Sequence, residues 1–493
     1  MTTSLLKFGF DNTYARDLDG FYVLWQGEDF PNPEVLCVNM ALANDLGLDT
    51  NALRTQAGAD VLSGKATADG ATPLAMAYAG HQFGGFSAQL GDGRAMLLGE
   101  ILDAQGQRFD LHLKGSGRTP FSRGGDGKAV LGPVLREYLM GEAMQALEVP
   151  TTRALAAVTT GEQVMREGIK QGAVLARVAS SHLRVGTFQF FAARQEWARV
   201  RQLADYAIAR HYPELLAVED KYLAFLSAVA YRQAALVAKW LQIGFVHGVM
   251  NTDNMAISGE TIDYGPCAFV DTYDAGAVFS SIDRNGRYAF GNQPAIAQWN
   301  LTRLAEALLP LIDEKDSDNA VRLATDELNR FTDHYTEVWT AGMRAKIGLR
   351  GAEDGDVDLI NHLFTAMEGE GVDYTQFFRR LADAVGGSDN SAKALFADQT
   401  KCVAWLAEWR ARIARDPQDA AARIAMMNAV NPIYIPRNHH VQEALGTAEA
   451  GDMALFETLL GVLADPYNKR EGLEKYEGPA PDTFGPYQTF CGT

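Results

Sequence analysis

Cysteine is scarce. Cys37, Cys267, Cys402 and Cys491 are the only thiols in 493 residues, too few and too scattered for a disulfide scaffold or a zinc cluster. Positive charge is short as well: 44 Lys and Arg stand against 62 Asp and Glu, a formal charge of −18. Such a surface repels phosphate backbones and anionic bilayers over most of its area, which argues against nucleic-acid and membrane partners. A small phosphate ligand in a locally basic cleft is still admissible, and Lys114, Arg118, Arg123 and Lys128 crowd one such stretch. Residues 1–10 lack a basic leader ahead of an apolar core, and Asp11 and Asp17 come early, so no secretory signal is expected. No uncharged run approaches the length of a membrane span. The most apolar long stretch, 223–246, contains Arg232, Gln233 and Lys239 and reads as a buried helix. Internal repeats and low-complexity segments are missing. The expectation is a cytoplasmic monomer.

What is present is a globular composition, 47% hydrophobic and 22% charged, sufficient for a sizeable core. Glycine concentrates between Gly80 and Gly132. Residues 94–101 and 108–114 read as short strands joined by a turn at 103–107 containing Gly106. From 133 to 147 the period becomes helical, with Val134, Leu135, Tyr138, Leu139 and Ala143 on one face, and Pro150 follows its end. Helices are expected over 197–211, 220–243, 298–312 and 319–347, interrupted by loop and turn signals at 245–274. A sheet-rich half followed by a helix-rich half predicts an α+β protein of two lobes with a cleft between them.

The loop His247-Gly-Val-Met-Asn-Thr-Asp-Asn254 precedes a short apolar run, a Gly259-Glu260 turn, a second short run and then Asp263-Tyr-Gly265. A tight hairpin over 255–262 would set Asn254 beside Asp263, two hard oxygen donors suited to magnesium. Asp253 would face the same space and could take a proton from an attacking hydroxyl. The bland alternative is an ordinary hairpin whose polar residues cap turns. The order of residues matches the protein-kinase pattern His-Arg-Asp-x-x-x-x-Asn followed by Asp-Phe-Gly, with one departure. Counting back from Asn254, the kinase base falls on Val249, and valine is no base. Either phosphoryl transfer is lost or Asp253 replaces the base.

Upstream, Gly91 and Gly93 lie in a glycine-rich turn next to Arg94, where backbone N–H groups can approach a phosphate. One hairpin later Leu111-His-Leu-Lys114 ends a strand in a lysine, as the phosphate-binding lysine of kinases does. A helix carboxylate should pair with it. Glu137 and Glu142 are both available, and Glu137 is preferred. The glycine- and charge-rich stretch 115–128, with Asp126 and Gly127, reads as a loop able to fold over polyphosphate. Arg177 and Arg184 flank His182; seven apart, they would share a face if the segment were helical, which Ser180-Ser181 puts in doubt. Arginine forks match phosphate oxygens. The adjacent His439 and His440 have no ligand partners at metal spacing and read as structural.

Taken together, Gly-His-Gln-Phe-Gly at 80–84, Leu-Gly-Asp-Gly-Arg at 90–94, Leu-Lys-Gly-Ser-Gly at 113–117, Pro-Thr-Thr-Arg at 150–153, the 247–254 loop, Asp-Tyr-Gly-Pro at 263–266 and Pro-Arg-Asn-His at 436–439 resemble the selenoprotein O family. The resemblance implies a protein-kinase-like fold with a sheet-rich N-lobe and a helical C-lobe. Residues 1–75 would be an extension packed on the core, 76–190 the N-lobe, and 191–493 the C-lobe with a C-terminal extension. It implies a pseudokinase that binds ATP flipped, so that the α-phosphate faces the acceptor, and transfers AMP to Ser, Thr or Tyr hydroxyls of proteins, with UTP as another donor. By motif position Asp253 resembles the general base, and Asn254 and Asp263 the magnesium or manganese ligands. Gly91, Gly93, Arg94, Lys114, Asp126, Gly127, Arg177 and Arg184 resemble the nucleotide contacts. Family members often carry selenocysteine near the carboxyl end; Cys491 stands there, third from the end, and a reversible bridge from it to Cys267 is a further expectation. The competing readings are a conventional phosphotransferase and a non-catalytic nucleotide-binding scaffold.

Overall fold

The computed structural model describes residues 6–489. Among the described residues twelve strands follow one another: β1 Tyr22–Leu24, β2 Glu34–Val38, β3 Leu74–Met76, β4 Gly80–Gln82, β5 Gly85–Ser87, β6 Ala95–Leu102, β7 Arg108–Lys114, β8 Ala129–Val130, β9 Arg153–Met165, β10 Ile169–Ala179, β11 Phe245–Val246 and β12 Ala268–Phe269. The main sheet is antiparallel throughout and runs β1-β3-β6-β7-β10-β9-β2, with β8 also paired to β10. Both edge strands, β1 and β2, come from the first 38 residues. The expected strand pair is present as β6 and β7. Its turn is held by the Asp103 carboxylate, which accepts the N–H groups of Gln105 and Gln107 at 2.9 and 2.7 Å, while Gly106 takes the left-handed φ of +78° that the turn needs.

Alternation along the strands decides what each sheet face carries, because successive side chains point to opposite sides. Leu111 and Leu113 of β7 and Val174, Ala176 and Val178 of β10 bury in a core shared with Leu53, Val61 and Leu62 from the N-terminal segment. Asp110, His112 and Lys114, and likewise Arg177, therefore project from the opposite face. There the helix Leu131–Ala146 lies across the sheet, with Leu135, Leu139, Met140 and Met144 fully enclosed. Each such side chain contributes about 1.5–3 kcal/mol by leaving water.

From residue 185 onward helices dominate, so the molecule as a whole is mixed α/β, an antiparallel sheet with many helices. Trp197–His211, Lys221–Ile243 and Ser317–Lys346 fall where periodicity places them. The last begins on the Asp316 carboxylate, which accepts from the Asp318 and Asn319 amides. Gln293–Ile312 starts five residues before its expected start, because Pro294 suits a first helical turn. Arg177 and Arg184 do not share a helix. Arg177 is in β10 and Arg184 is the cap residue before Val185–Ala192; β-sheet pairing with β7 and β9 outcompeted a short helix there. No helix among the described residues is long and apolar enough to cross a membrane.

Candidate active site

The polar loop after Lys221–Ile243 is positioned by two short devices. Gly244, at φ +78°, ends the helix and turns the chain into β11. β11 then pairs with β12, Phe245 opposite Phe269 and Val246 opposite Ala268, which clamps the two ends of the 247–267 segment together. His247 braces the interior: its Nε2 donates to the Ile262 carbonyl at 2.9 Å, and its Nδ1 accepts the Val249 amide at 3.3 Å.

The hairpin expected over 255–262 does not form. Its flanks are too short for a ladder of more than a rung or two, and buried backbone groups bond wherever partners are nearest. Ala256 bridges Arg184 and Thr261 bridges Thr151 instead. The Val185 amide donates to the Met255 carbonyl at 3.0 Å, and the Thr261 amide to the Pro150 carbonyl at 2.9 Å. Docking on two foreign backbones holds the segment in place of the hairpin. Asp253, Asn254 and Asp263 line one cavity of about 600 Å³.

The same cavity is lined by Gly91, Gly93, Arg94, Lys114, Asp126, Gly127, Arg177 and Arg184. Lys114 and Arg177 meet because they share a sheet face, with Leu175 opposite Lys114 in the β7–β10 register. Lys114 Nζ donates to Glu137 Oε2 at 2.6 Å and to Asp263 Oδ1 at 2.8 Å. Arg177 Nη1 reaches Glu137 Oε1 at 3.0 Å and Asp263 Oδ1 at 2.7 Å, and Arg184 Nη1 reaches Asp263 Oδ2 at 3.3 Å. Glu137 is thus the lysine's partner, as preferred; Glu142 pairs with Arg153 at 2.7 Å. Burial alone would raise the Asp263 carboxyl, but Arg177, Lys114 and Arg184 overcome it and hold it well below the usual carboxylate range. Glu137 follows the same balance, burial against Lys114 and Arg177, and is lowered. The residues lining the cavity include Arg94, Lys114, Arg123, Lys128, Arg166, Arg177 and Arg184 against Asp92, Asp126, Asp253 and Asp263, which leaves the lining positive for a polyanion. His182 is elsewhere: its Nδ1 lies 3.0 Å from Asp110 Oδ2, and burial pushes its ring down to about 3.

Asp253 differs from Asp263. Burial pushes its carboxyl up to about 6, against the opposing pull of a Gln82 hydrogen bond and Arg184. Oδ2 accepts from Gln82 Nε2 at 3.1 Å, whereas Oδ1 is buried without a partner. Gly80 permits this placement, since a Cβ there would lie 2.4 Å from Oδ1. Gly91 is equally constrained, at φ +73° with a would-be Cβ 2.3 Å from the Phe121 ring. Val249 lines the cavity beside Asp253 and offers only methyl groups.

Asn254 Nδ2 donates to the Val249 carbonyl at 3.0 Å, which leaves Oδ1 as its open acceptor. With Asp263 it supplies two hard oxygen donors, a set that fits magnesium or manganese sharing its shell with phosphate and water. Among the described residues no group of three or more His, Cys, Asp or Glu could hold a metal.

Sequence reasoning missed several contributors. Gln82 sits inside the quoted 80–84 block but had no assigned role. Arg166, at the β9–β10 turn, pairs with Asp126 at 2.8 Å and fixes that loop; no local signal marks it. Tyr78 lies under the Arg184 guanidinium, 4.5 Å from ring centroid to Cζ. Lys128, one of the basic residues crowding that stretch, lines the cavity but is paired with Glu162 at 2.7 Å and Glu28 at 3.1 Å. Cys267 is buried, its thiol pushed up to about 11 by burial. Cys491 lies outside the described residues, and so does the expected bridge between the two.

Comparison with known proteins is consistent over the whole chain. Residues 4–464 match the family model described as protein adenylyltransferase SelO. A protein of Cereibacter sphaeroides named protein nucleotidyltransferase YdiU is 60% identical over 490 residues, covering 99% of this chain and all of that protein. Proteins of the same name from Rhizobium leguminosarum bv. trifolii and a Mycobacterium species are each 54% identical, over 502 and 490 residues, with full coverage of both relatives.

Proposed function

The chain belongs to the SelO family of protein adenylyltransferases, and on that premise we propose that it moves AMP from ATP onto serine, threonine or tyrosine hydroxyls of proteins. Pyrophosphate leaves, and UMP transfer from UTP is a second activity of the same site. On this reading the sheet and its helix form the small lobe of a kinase-like fold, residues 76–190, with 1–75 packed on it as an extension. Residues 191–493 form the helical lobe with a C-terminal extension.

The nucleotide lies flipped relative to its place in a protein kinase, with the α-phosphate toward the acceptor. Lys114, Arg177 and Arg184 hold phosphate oxygens, and the backbone at Gly91, Gly93 and Gly127 allows close approach, with Arg94 and Asp126 alongside. Glu137 keeps Lys114 extended into the cavity. A magnesium or manganese ion held by Asn254 and Asp263 would screen phosphate charge. Asp253 orients the acceptor hydroxyl and takes its proton. The hydroxyl oxygen bonds to the α-phosphorus while the bond from that phosphorus to the bridging oxygen of pyrophosphate breaks. Arg177 and Arg184 neutralise the departing charge.

The observation that carries this reading is Asp253, a buried carboxylate that lines the cavity with one oxygen, Oδ1, left without a partner, beside Val249, on which the kinase base falls by count from Asn254. A partially desolvated carboxylate there is a proton acceptor in search of a hydroxyl. Intact-protein mass spectrometry after incubation with ATP, magnesium and candidate acceptor proteins tests it. An adenylyl increment is expected. A phosphoryl increment would support a conventional phosphotransferase, and nucleotide binding with no increment would support a scaffold.

A further inference from the structure

Away from the phosphate-binding wall, the same cavity opens on a patch of different character. Gln82, Phe83 and Ile282 line it together with Asp253. Phe83 and Ile282 are 38% and 52% exposed, and Phe86 on the same β4–β5 hairpin is 45% exposed. The hairpin tip is fixed in place: the Phe83 amide donates to Asn251 Oδ1 and to the Tyr288 hydroxyl, each at 3.1 Å, and that hydroxyl donates to Asn251 Oδ1 at 2.7 Å.

Beside the tip, the Arg287 guanidinium stacks 4.7 Å from the Trp299 ring, whose surroundings also hold Arg303 at 4.9 Å. Arg303 has Glu306 at 2.9 Å. Arg287 has no carboxylate partner among the described residues, and its Nε is buried without a hydrogen bond. Asp283, four residues earlier, is buried and accepts the backbone amides of Arg287 and Tyr288 at 2.9 and 2.8 Å. On a chain of net charge −18, an unpaired arginine backed by indole beside the β4–β5 hairpin tip is complementary to an acidic side chain. A run of neighbouring residues joins it to the chemistry. A Cβ on Gly84 would sit 3.7 Å from Arg287 Cζ, and Gly84 follows by two residues Gln82, whose amide holds Asp253 at 3.1 Å.

We propose that this patch seats the acceptor polypeptide: Arg287 binds an acidic side chain a few residues from the target hydroxyl, and Phe83 and Ile282 receive an apolar side chain between them. This rests on the transferase reading above and adds a substrate class to it.

The test uses the full chain, ATP with magnesium, and synthetic peptides carrying one tyrosine or serine flanked at two to four residues by glutamate or by lysine. The wild type prefers the glutamate peptides through KM, by about tenfold or more. Arg287→Glu inverts that preference, and Arg287→Lys retains it. Because preference is a ratio measured within one preparation, partial misfolding of a variant does not move it. Peptide transfer with the same preference in wild type and Arg287→Glu overturns the docking proposal and leaves the transferase reading intact. Absence of adenylyl transfer to any peptide or protein, with no pyrophosphate released, defeats the transferase reading and this proposal with it.

Discussion

Two buried charge clusters in this molecule use similar parts to opposite ends. In the cleft, Lys114, Arg177 and Arg184 converge on Glu137 and Asp263, and the assembly faces an open cavity. In the C-terminal half, fully buried Arg437 meets Asp271 at 2.7 Å and Asp373 at 2.9 Å, and donates to the Glu477 carbonyl at 2.8 Å. The first cluster has surplus positive charge and a neighbouring carboxylate with a free oxygen. The second has two acids for one arginine and ties three distant stretches of chain together. Burial of charge is therefore not by itself a mark of a site; what distinguishes the cleft is charge left over for something that is not protein.

The contrast can be broken or sharpened in measurable steps. Asp253→Ala should lower adenylyl transfer on the order of 10⁴-fold with ATP binding retained, read by intact mass and by calorimetric titration of ATP. Arg437→Leu should instead cost about 3–5 kcal/mol of stability by stranding Asp271 and Asp373; denaturant unfolding measures that loss, and the folded fraction should keep its kcat. Arg177→Lys, which keeps the charge but loses the fork, should weaken ATP about tenfold, visible as a raised KM. A drop in stability comparable to that of Arg437→Leu, without a change in KM, would erase the distinction between the clusters.

The smallest effect concerns a third buried charge that neither cluster satisfies. Lys346 is 4% exposed, with Nζ 4.3 Å from the Phe378 ring centroid and no carboxylate beside it. Burial lowers it to about 7 from an ordinary 10.5. Between those values the unfolded chain binds the proton that the folded chain gives up, so this group makes stability rise with pH across that window. Below pH 7 its full penalty remains. Lys346→Met should stabilise the protein by about 1–2 kcal/mol near neutral pH and flatten that rise, as urea midpoints at pH 7 and pH 9.5 would reveal.

Much of this was legible beforehand, for identifiable reasons. Strong period-3.6 segments such as Trp197–His211 and Lys221–Ile243 fell where the pattern placed them, because amphipathic repeats over many residues leave little choice. Lys114 was legible because alternation and a preceding glycine turn marked its strand. The hairpin at 255–262 was misread because short apolar runs carry no information about their partners, and here the partners lie more than 70 positions upstream. Arg177 misled for a similar reason: spacing of seven fits a helix, yet β10 has stronger neighbours on both sides. Gln82 lay in a quoted motif without a role and Arg166 carried no local signal, since each acts through a residue distant in sequence.

The strand order also has a temporal consequence. Glu34 of β2 pairs beside Thr159 of β9, 125 positions later, so an edge made early waits for a neighbour made late. At about 5–20 residues per second of synthesis, that wait is on the order of ten seconds. During it the N-terminal stretch has apolar residues and open backbone groups but no docking surface. Sheet closure is consequently a late event on the ribosome, and a nascent chain stalled before β10 should be held by chaperones rather than fold.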